Sequence, residues 1–499
     1  MGSPIDICLV SPVARASSTT VPVALLYLHA WLKKCGAKAT IVDIKAGGLG
    51  IPLSRTQIEQ VKSKAIDTIL QLQPKIVGVP CYTPEFWDVI DFCTRIRQKH
   101  ACTIIVGGLH ATIKPLDFCY EGTPVDALVI GDAQRPLEEI AARVKSGQNL
   151  QGIKGVVIPG QADQTIPSPA VFEDWGSMPM PDYSQLNMDF YTRPHTGIIR
   201  NVVASGIHIF TTIGCPFSCT FCANNSRKVR FRPIPQVIEE IAFLKKRYRI
   251  DSFYVLDDTF LIKKERVHEF VKGLRERSIN LMWGMETRVN LLDEETTRLI
   301  QDAGCIQIDF GVESGSQESL NRMKKGITTG QIIKAFALCK KYRIRTLANY
   351  MFNTPGENKE DVEQTVAMIQ RTKPTRLSVC LTVPFPGTSI YDEYVKPPFS
   401  KEEYKIYNSK YLYVHIADPR FSMARHDLDL VGLRLKIVAG NNGFRNLVDL
   451  TLNPVYWKTL AASGRKWQYV VAYTKGILLI VAEKTQRSIK IFRERITGK

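Results

Sequence analysis

Three cysteines lie within eight residues of one another, at Cys215, Cys219 and Cys222, with the spacing C-x3-C-x2-C. Thiolates this close together in one loop can reach a single iron–sulfur cluster. Three local ligands leave one iron open, as a catalytic cluster requires. A zinc site is the alternative, but zinc takes a fourth Cys or His, and the nearest histidine, His208, lies at the far end of the preceding predicted strand. The spacing therefore predicts a catalytic [4Fe–4S] cluster.

The elements around this loop predict a barrel. Apolar runs that alternate with amphipathic segments predict six βα units. The strands are expected at 208–212, 252–256, 280–286, 307–313, 346–352 and 377–383, with helices such as 235–247, 264–277, 293–303 and 361–372 between them. Six units without two more to close the ring indicate a partial (β/α)6 barrel, whose active site lies at the carboxyl ends of the strands. The cysteine loop follows the first of these strands.

Charged and small residues follow the other barrel strands as well. Asp258 ends the second strand, Glu286 and Arg288 the third, and Glu313 with Ser314 the fourth. A single strand-end carboxylate is more often a helix N-cap than a ligand. Together with the cysteine loop, however, these residues predict one polar site at the carboxyl edge of the barrel.

The rest of the chain divides around the barrel at 201–396. Residues 1–145 alternate strands and helices in a doubly wound, Rossmann-like α/β pattern, with glycines at the carboxyl ends of the strands. Residues 146–200 are rich in Pro, Gly and Asp and predict an irregular connector. Residues 397–499 are basic, contain aromatic–basic stretches such as 404–413, and are expected to be mostly helical.

The cysteine loop resembles the signature of the radical S-adenosylmethionine (SAM) superfamily, in which the position before the last cysteine is usually aromatic, as Phe221 is. The resemblance implies that the open iron chelates SAM and that one electron cleaves it to methionine and a 5′-deoxyadenosyl radical. It further implies a set of SAM-binding residues at the strand ends: Phe221, Asp258, Glu286, Arg288, Glu313 and Ser314.

The N-terminal segment resembles the cobalamin-binding domain found in one branch of this superfamily. Segments 22–28, 106–112 and 125–132 carry the resemblance, although Gly131-Asp132-Ala133-Gln134 replaces the usual Gly-Glu-Gly-Glu. It implies cobalamin contacts at strand ends and in the 106–112 loop: Ser11, Thr83, Gly107, Gly108, His110, Thr112 and Gly131. The D-x-H-x-x-G motif, whose histidine ligates cobalt in related proteins, does not occur, so His110 is expected to be structural or to contact the nucleotide tail.

The two resemblances together imply a cobalamin-dependent radical SAM enzyme, with methylation of an unactivated carbon as the leading reaction. Radical cyclisation or rearrangement with the same cofactors, of a tetrapyrrole or lipid type, stays open. A methylthiotransferase would use N-terminal cysteines for a second cluster, but Cys8, Cys35 and Cys81 are expected to be buried and structural. A non-catalytic cobalamin or iron–sulfur sensor is the remaining alternative, and it would need an output module.

The net charge of +18 indicates an anionic partner. An acidic reductant such as flavodoxin or ferredoxin would fit, and no nucleic acid is expected. Segment 485–495 could form a basic amphipathic helix on a membrane surface, which would suit a lipid rather than another small-molecule substrate. With no secretory signal and no membrane span in the sequence, we expect a cytoplasmic protein with reduced cysteines, and peripheral contact at the inner membrane face is the alternative. Cys380 is expected either in the core or facing the barrel cavity.

Overall fold

A computed structural model gives the fold of the chain. It describes residues 5–11, 20–44, 55–160, 166–200, 202–223, 226–407, 419–426, 453–469 and 471. The predicted basic segment 485–495 therefore lies outside the described residues.

The N-terminal domain is built on a six-stranded sheet in the order β2-β1-β3-β4-β5-β6, in which only β6 runs antiparallel. Its strands are β1 Ile7–Val10, β2 Ala39–Val42, β3 Ile76–Pro80, β4 Thr103–Gly107, β5 Ala127–Val129 and β6 Val156–Val157. Its helices are α1 Val23–Lys34, α2 Arg55–Leu72, α3 Phe86–Arg97, α4 Leu109–Ile113 and α5 Gln134–Ser146.

Alternating strand residues bury the two faces of this sheet under different helices. On β1, Ile7 and Leu9 pack with α1 and α5, whereas Cys8 and Val10 pack with α2 and α3. This division follows from the two-residue period of a strand. The predicted doubly wound domain is thereby confirmed.

The second sheet contains six parallel strands in the order β14-β13-β12-β11-β10-β7, with no ladder between β7 and β14 among the described residues. The strands of this part are β7 Gly206–Ile209, β8 Thr212–Ile213, β9 Arg230–Phe231, β10 Ser252–Val255, β11 Met282–Thr287, β12 Cys305–Glu313, β13 Arg345–Phe352 and β14 Arg376–Leu381. The helices are α6 Met188–Thr192, α7 Ile234–Tyr248, α8 Lys264–Glu276, α9 Glu294–Asp302, α10 Gln317–Arg322, α11 Thr329–Lys341, α12 Lys359–Thr372 and α13 Ser389–Tyr394. The predicted partial barrel is confirmed.

The connector and the described parts of the C-terminal region pack closely against the two domains. The connector supplies β6 to the first sheet and also contains α6. After the barrel, Tyr404 and Tyr407 are buried against the N-terminal domain. The last described helix, α14 (Pro454–Ala462), places Tyr456 against the barrel beside Tyr254.

A buried carboxylate ties the two domains together. Glu240 on α7 accepts hydrogen bonds from the hydroxyl of Tyr27 on α1 (2.6 Å) and from that of Tyr183 in the connector (2.5 Å). Arg232 Nη2 donates to the same carboxylate at 2.5 Å. Because three donors from different segments meet on one side chain, their geometry fixes how α1 sits on the barrel.

Most of the remaining cysteines are core residues. Cys8 and Cys81 are buried, as expected, and so are Cys305 and Cys339. The expectation that Cys35 is buried was wrong, because it follows the last turn of α1 at the protein surface, where it is exposed.

Candidate active site at the carboxyl edge of the barrel

A short antiparallel ribbon carries the cysteine loop. In this ribbon β8 pairs with β9, and the loop between them contains all three of the cysteines with the C-x3-C-x2-C spacing, hereafter the loop cysteines. Gly214 begins the loop with φ +90°, and a Cβ there would lie 2.6 Å from the carbonyl oxygen of Lys228, so the position requires glycine.

Asp257, at the end of β10, anchors the strand that leads into this loop. Its carboxylate accepts the backbone N–H groups of Thr211 (2.6 Å) and Thr212 (3.0 Å). It is fully buried, and burial raises its pKa while the hydrogen bonds from Thr211 and Thr212 lower it. The neighbouring Asp258, predicted to bind SAM, is exposed instead. Asp257 thus positions the loop, and Asp258 presents a carboxylate beside it.

The loop cysteines have three different environments. Cys215 Sγ lies 3.9 Å from Thr259 Oγ1, Cys219 is 9% exposed, and Cys222 is exposed. Three thiols from one loop match the donor set of a [4Fe–4S] cluster. No set of three metal-binding side chains is already gathered in the described part of the chain. Their joint ligation of one cluster therefore stays a prediction.

Arg288 lies beneath this loop. The side chain is 4% exposed, and its Nη1 is 3.6 Å from Cys219 Sγ. The guanidinium stacks 3.7 Å from the ring centroid of Phe217 and donates to the carbonyl of Lys325. These contacts position the cysteine loop, and binding of SAM by Arg288 stays a prediction.

Two more of the predicted SAM-binding residues meet around Lys325. Its Nζ donates to Glu313 Oε1 at 2.8 Å and lies 5.8 Å from the ring centroid of Phe221. Both partners of the ion pair are buried. Ser314, in contrast, points into the protein, where its hydroxyl is 3.0 Å from that of Thr365 on α12. The structure therefore brings Phe221 and Glu313 together and leaves Ser314 in a packing contact.

Glu286 lies on the inner side of the barrel with a strongly perturbed pKa. Burial raises the pKa of its carboxyl to about 7, against the opposing effect of Arg200, whose Nη2 donates to Oε1 at 3.1 Å. The carboxylates of Asp309, Asp258 and Glu313 raise it further. A carboxyl group that titrates near neutrality can accept or release a proton during a reaction.

The predicted cobalamin loop is held by a short set of local contacts. Gly108 has φ +91°, and a Cβ there would lie 3.0 Å from the carbonyl oxygen of Cys81. Thr112 Oγ1 donates to the carbonyl of Gly108 (2.9 Å) and accepts the N–H of Gly131 (3.0 Å). Gly131 is crowded by the backbone of Ala170, so packing of the connector explains that glycine without a ligand. Gly107, the last residue of β4, leads into this loop.

His110 and its neighbours are buried below the loop. The imidazole is fully buried, with Nδ1 3.1 Å from Thr83 Oγ1 and Nε2 3.4 Å from Asp117 Oδ2. The rings of Phe86, Phe118 and Tyr404 surround it edge-on. Ser11 is also fully buried, and its Oγ accepts the N–H of Ile44 at 2.8 Å. These contacts agree with a structural role for His110, and cobalamin binding by all seven predicted residues stays a prediction.

One turn joins the two predicted cofactor regions. A Cβ placed on Gly387, after β14, would lie 2.7 Å from Ile113 Cγ2 on α4. Three residues later, the N–H of Ile390 donates to the carbonyl of Thr220, between the second and third loop cysteines, at 3.2 Å. Arg230 of β9 also pairs with Asp132, next to Gly131. The strand ends of the two domains therefore meet across this turn.

Comparison with known proteins places these two edges in established domain families. A model of the B12 binding domain matches residues 11–141, and a model of the radical SAM superfamily matches residues 209–369. Together the two models cover more than half of the chain. The chain belongs to the cobalamin-dependent radical SAM family.

Individual relatives are distant from the chain but align with most of it. An uncharacterised methyltransferase of Pyrococcus horikoshii is 27% identical over 391 residues, which are 77% of this chain and 80% of that protein. The anaerobic magnesium-protoporphyrin IX monomethyl ester cyclase of Rubrivivax gelatinosus is 25% identical over 398 residues, or 76% of this chain and 67% of that protein. A solved structure of the radical SAM methyltransferase TsrM from Kitasatospora setae, with cobalamin and a [4Fe–4S] cluster bound, superposes on this chain with a TM-score of 0.63. The superposition covers 79% of this chain and 76% of that chain at 20% identity, which shows a common fold.

Several residues of this cobalamin-dependent radical SAM site were not found from the sequence. Arg200 lies in the connector, where no pattern singled it out. Asp309 is a buried carboxylate within β12, and its Oδ2 lies 3.5 Å from Arg200 Nη1. A carboxylate in the middle of a predicted barrel strand was a signal that could have identified Asp309. Cys380, left open between core and cavity, is exposed, and its strand register pairs it with Met351.

Proposed function

We propose that the protein is a methyltransferase that uses SAM, a [4Fe–4S] cluster and cobalamin to methylate an unactivated carbon of a small molecule. One observation carries the proposal: the turn at Gly387 contacts α4 on one side and leads to the Ile390–Thr220 hydrogen bond on the other. If one domain carries the methyl group and the other generates the radical, both must reach the same substrate. The cofactor-binding loops of the two domains must therefore lie next to each other. The methyltransferase from Pyrococcus horikoshii supports the same reaction class.

The loop cysteines would hold the cluster, and Arg288 would support it from below. When bound, the cluster supplies the electron that cleaves SAM, and cobalamin carries the methyl group. Arg288 contributes a permanent positive charge 3.6 Å from Cys219 Sγ, which stabilises negative charge on a ligand sulfur. Phe217, stacked on the guanidinium, keeps that charge in place and shields it from water.

Carboxylates at the strand ends would bind SAM beside the loop. Asp258 is exposed next to the buried anchor Asp257, and Glu286 faces the barrel interior. Carboxylate oxygens can accept the ammonium and the ribose hydroxyls of SAM. Glu313 is already paired with Lys325, whose Nζ also lies over the Phe221 ring, so Glu313 would act through its remaining oxygen.

Cobalamin would bind over α4 and the loop before it. The left-handed conformation of Gly108 and the Thr112 hydroxyl that bridges Gly108 to Gly131 shape the backbone at this edge. The imidazole of His110 points into an aromatic box below the loop. We therefore place His110 as a support of the loop and not as the lower ligand of cobalt.

A reductant and a small-molecule substrate are required by this chemistry. No helix within the described residues is long and apolar enough to cross a membrane. A narrower proposal is that segment 485–495 contacts an anionic membrane and that the substrate is a lipid. Cosedimentation with anionic vesicles that weakens as salt is raised would support it, and cosedimentation that is absent or independent of salt would contradict it.

The decisive experiment follows the methyl group. The reduced, reconstituted protein is incubated anaerobically with cobalamin, a cell extract and SAM carrying a trideuterated methyl group. Mass spectrometry should find an extract component that gains one labelled methyl, together with S-adenosylhomocysteine and 5′-deoxyadenosine. Formation of 5′-deoxyadenosine with loss of hydrogen and no labelled methyl in any product would instead indicate cyclisation, the reaction class of the Rubrivivax relative.

A pair of variants tests the coupling between the domains. Arg230→Gln removes the contact with Asp132. Lys228 lies two residues earlier, and Lys228→Gln removes only its surface ion pair with Glu173. Arg230→Gln should lower methyl transfer more than it lowers 5′-deoxyadenosine formation, because only the former needs both domains. Asp132→Asn should reproduce this split and Lys228→Gln should not. Equal losses of both products in Arg230→Gln and Asp132→Asn would refute the shared-substrate geometry.

A further inference from the structure

A basic cleft lies at the opposite end of the barrel from the loop cysteines. It sits where α11 and α12 end and where β13 begins, and it encloses about 530 Å³. This volume is sufficient for a small ligand. We call it the basic cleft because five positively charged side chains line it: Lys340, Arg343, Arg345, Arg371 and Lys373.

The four exposed cations of the cleft are not balanced by acidic residues, whereas the buried Arg345 interacts with the Asp309 carboxylate, whose pKa burial raises and Arg345 lowers. Its lining contains no Asp or Glu. Within the described ranges, no carboxylate forms an ion pair with Lys340, Arg343, Arg371 or Lys373, all of which are exposed. Arg345, the first residue of β13, is only 2% exposed. Converging positive charge around a concavity attracts anions.

Helix electrostatics explain only part of this arrangement. Lys340 and Arg371 lie in the last turns of α11 and α12, where cations stabilise the helix dipole. Lys373 caps α12 and Arg343 directly follows the cap of α11, so both also lie near a negative helix end, whereas Arg345 belongs to β13. Stabilisation of each helix end does not require the cations of two helices to meet around one concavity, and a ligand that binds the four exposed charges together accounts for that convergence.

One wall of the cleft is apolar. Ile333, Phe336 and Ala337 line it from α11 and share one face of that helix with Lys340, because their spacing follows the helical repeat. Asn453, which caps α14, closes the other side. The cleft therefore offers a cationic rim to a polar head and an apolar surface to an attached chain.

We propose that the basic cleft binds a phosphate monoester of an apolar chain. Three of its five cations are guanidinium groups, which bind phosphate oxygens in a bidentate manner. A phosphate monoester carries up to two negative charges near neutral pH, whereas a carboxylate carries one. The same chemistry occurs in a membrane lipid headgroup and in a soluble phosphate ester, so the test must separate these sources.

The test uses the full chain and dodecyl phosphate, below its micelle concentration, in isothermal titration calorimetry. Arg343→Gln combined with Arg371→Gln removes two exposed cations from the cleft. Arg298→Gln combined with Lys334→Gln removes two exposed cations from α9 and α11 that do not line it. Each lost charge-assisted hydrogen bond should weaken binding about tenfold, so the cleft pair should weaken it about a hundredfold. The control pair should stay within about twofold of the natural chain, since its charges lie outside the site.

Further arms identify the ligand and its source. Dodecanoate should bind at least about tenfold more weakly than dodecyl phosphate, because it brings half the charge. If vesicles containing phosphatidic acid bind the chain and lose it in the cleft variant, the source is a lipid headgroup; if only the soluble ester binds, the source is a soluble metabolite. No heat with dodecyl phosphate, equal weakening by the two variant pairs, or equal affinity for dodecanoate would overturn the proposal. Circular dichroism and iron content confirm that the variants are folded.

Discussion

Replacing Glu240 by glutamine should destabilise the barrel by removing the charge on which three donors converge. Arg232 and Glu240 are a buried pair, with side chains 4% and 1% exposed. Breaking such a pair leaves a buried cation uncompensated and costs about 3–5 kcal/mol. Arg232 keeps its hydrogen bond to the carbonyl of Phe210 (2.6 Å) and its position over the ring of Tyr27, so we expect the lower end, about 3 kcal/mol. For a domain of this size that is a fall of roughly 10 °C in melting temperature.

The chain supplies a matched control one residue away. Glu239 is on the same helix but exposed, so Glu239→Gln removes the same charge from solvent and should shift the melting temperature by at most about 2 °C. Thermal unfolding followed by circular dichroism measures both variants. Tyr27→Phe alone should lower the free energy of unfolding by less than Glu240→Gln does. Its effect should be smaller again in the Glu240→Gln background, because the charged acceptor is already gone. Equal melting temperatures for Glu240→Gln and Glu239→Gln would refute the assignment of Glu240 as the residue that holds the two domains together.

Three further outcomes follow from the site. Replacing any one of the loop cysteines by alanine should abolish the iron content and visible absorbance of the reconstituted protein, whereas Cys35→Ala, at an exposed position, should leave both unchanged. Because burial holds the pKa of Glu286 at about 7, its carboxyl ionises as pH rises through neutrality, and SAM binding that uses the carboxylate should strengthen there. Arg200→Gln should move this inflection to higher pH, Glu286→Gln should remove it, and a profile unchanged by either would count against the assignment. His110→Gln should not change the nitrogen hyperfine splitting in the electron paramagnetic resonance spectrum of reduced, bound cobalamin. The reason is that the buried imidazole is not expected to reach cobalt.

The βα pattern was predictable from the sequence because strand and helix periods differ and are locally encoded. The boundaries were less accurate where tertiary contacts decide them. The first barrel strand was expected to run to Thr212 but ends at Ile209, because the backbone N–H groups of Thr211 and Thr212 are taken by the Asp257 carboxylate. The β8–β9 ribbon has two residues in each strand, too few to leave a periodic signal.

The candidate site was predictable in its position but less so in the role of each residue. Parallel strands bring their carboxyl ends to one edge, so strand-end residues such as Asp258 and Glu286 could be grouped without a structure. Whether a side chain then faces the cavity or the packing layer depends on long-range contacts. Arg288 and Ser314 were both expected to bind SAM, a prediction that stays open, and the sequence did not indicate that Arg288 contacts the cysteine loop or that Ser314 packs on α12. Arg200 reaches Glu286 from 86 residues away, a distance that no local pattern encodes.

The way in which the two domains are joined bears directly on the proposed chemistry. Apolar side chains alone would hold α1 against the barrel, and replacing a buried ion pair by such residues is often neutral or stabilising. Apolar packing, however, tolerates small slips, whereas the hydroxyls of Tyr27 and Tyr183 and the guanidinium of Arg232 must all meet the carboxylate of Glu240 at 2.5–2.6 Å. A reaction that hands a methyl group between domains is sensitive to displacements of about 1 Å. We infer that the buried charge at Glu240 is retained for the register it imposes on the two cofactor edges, so variants that weaken it should lose methyl transfer before they lose the fold.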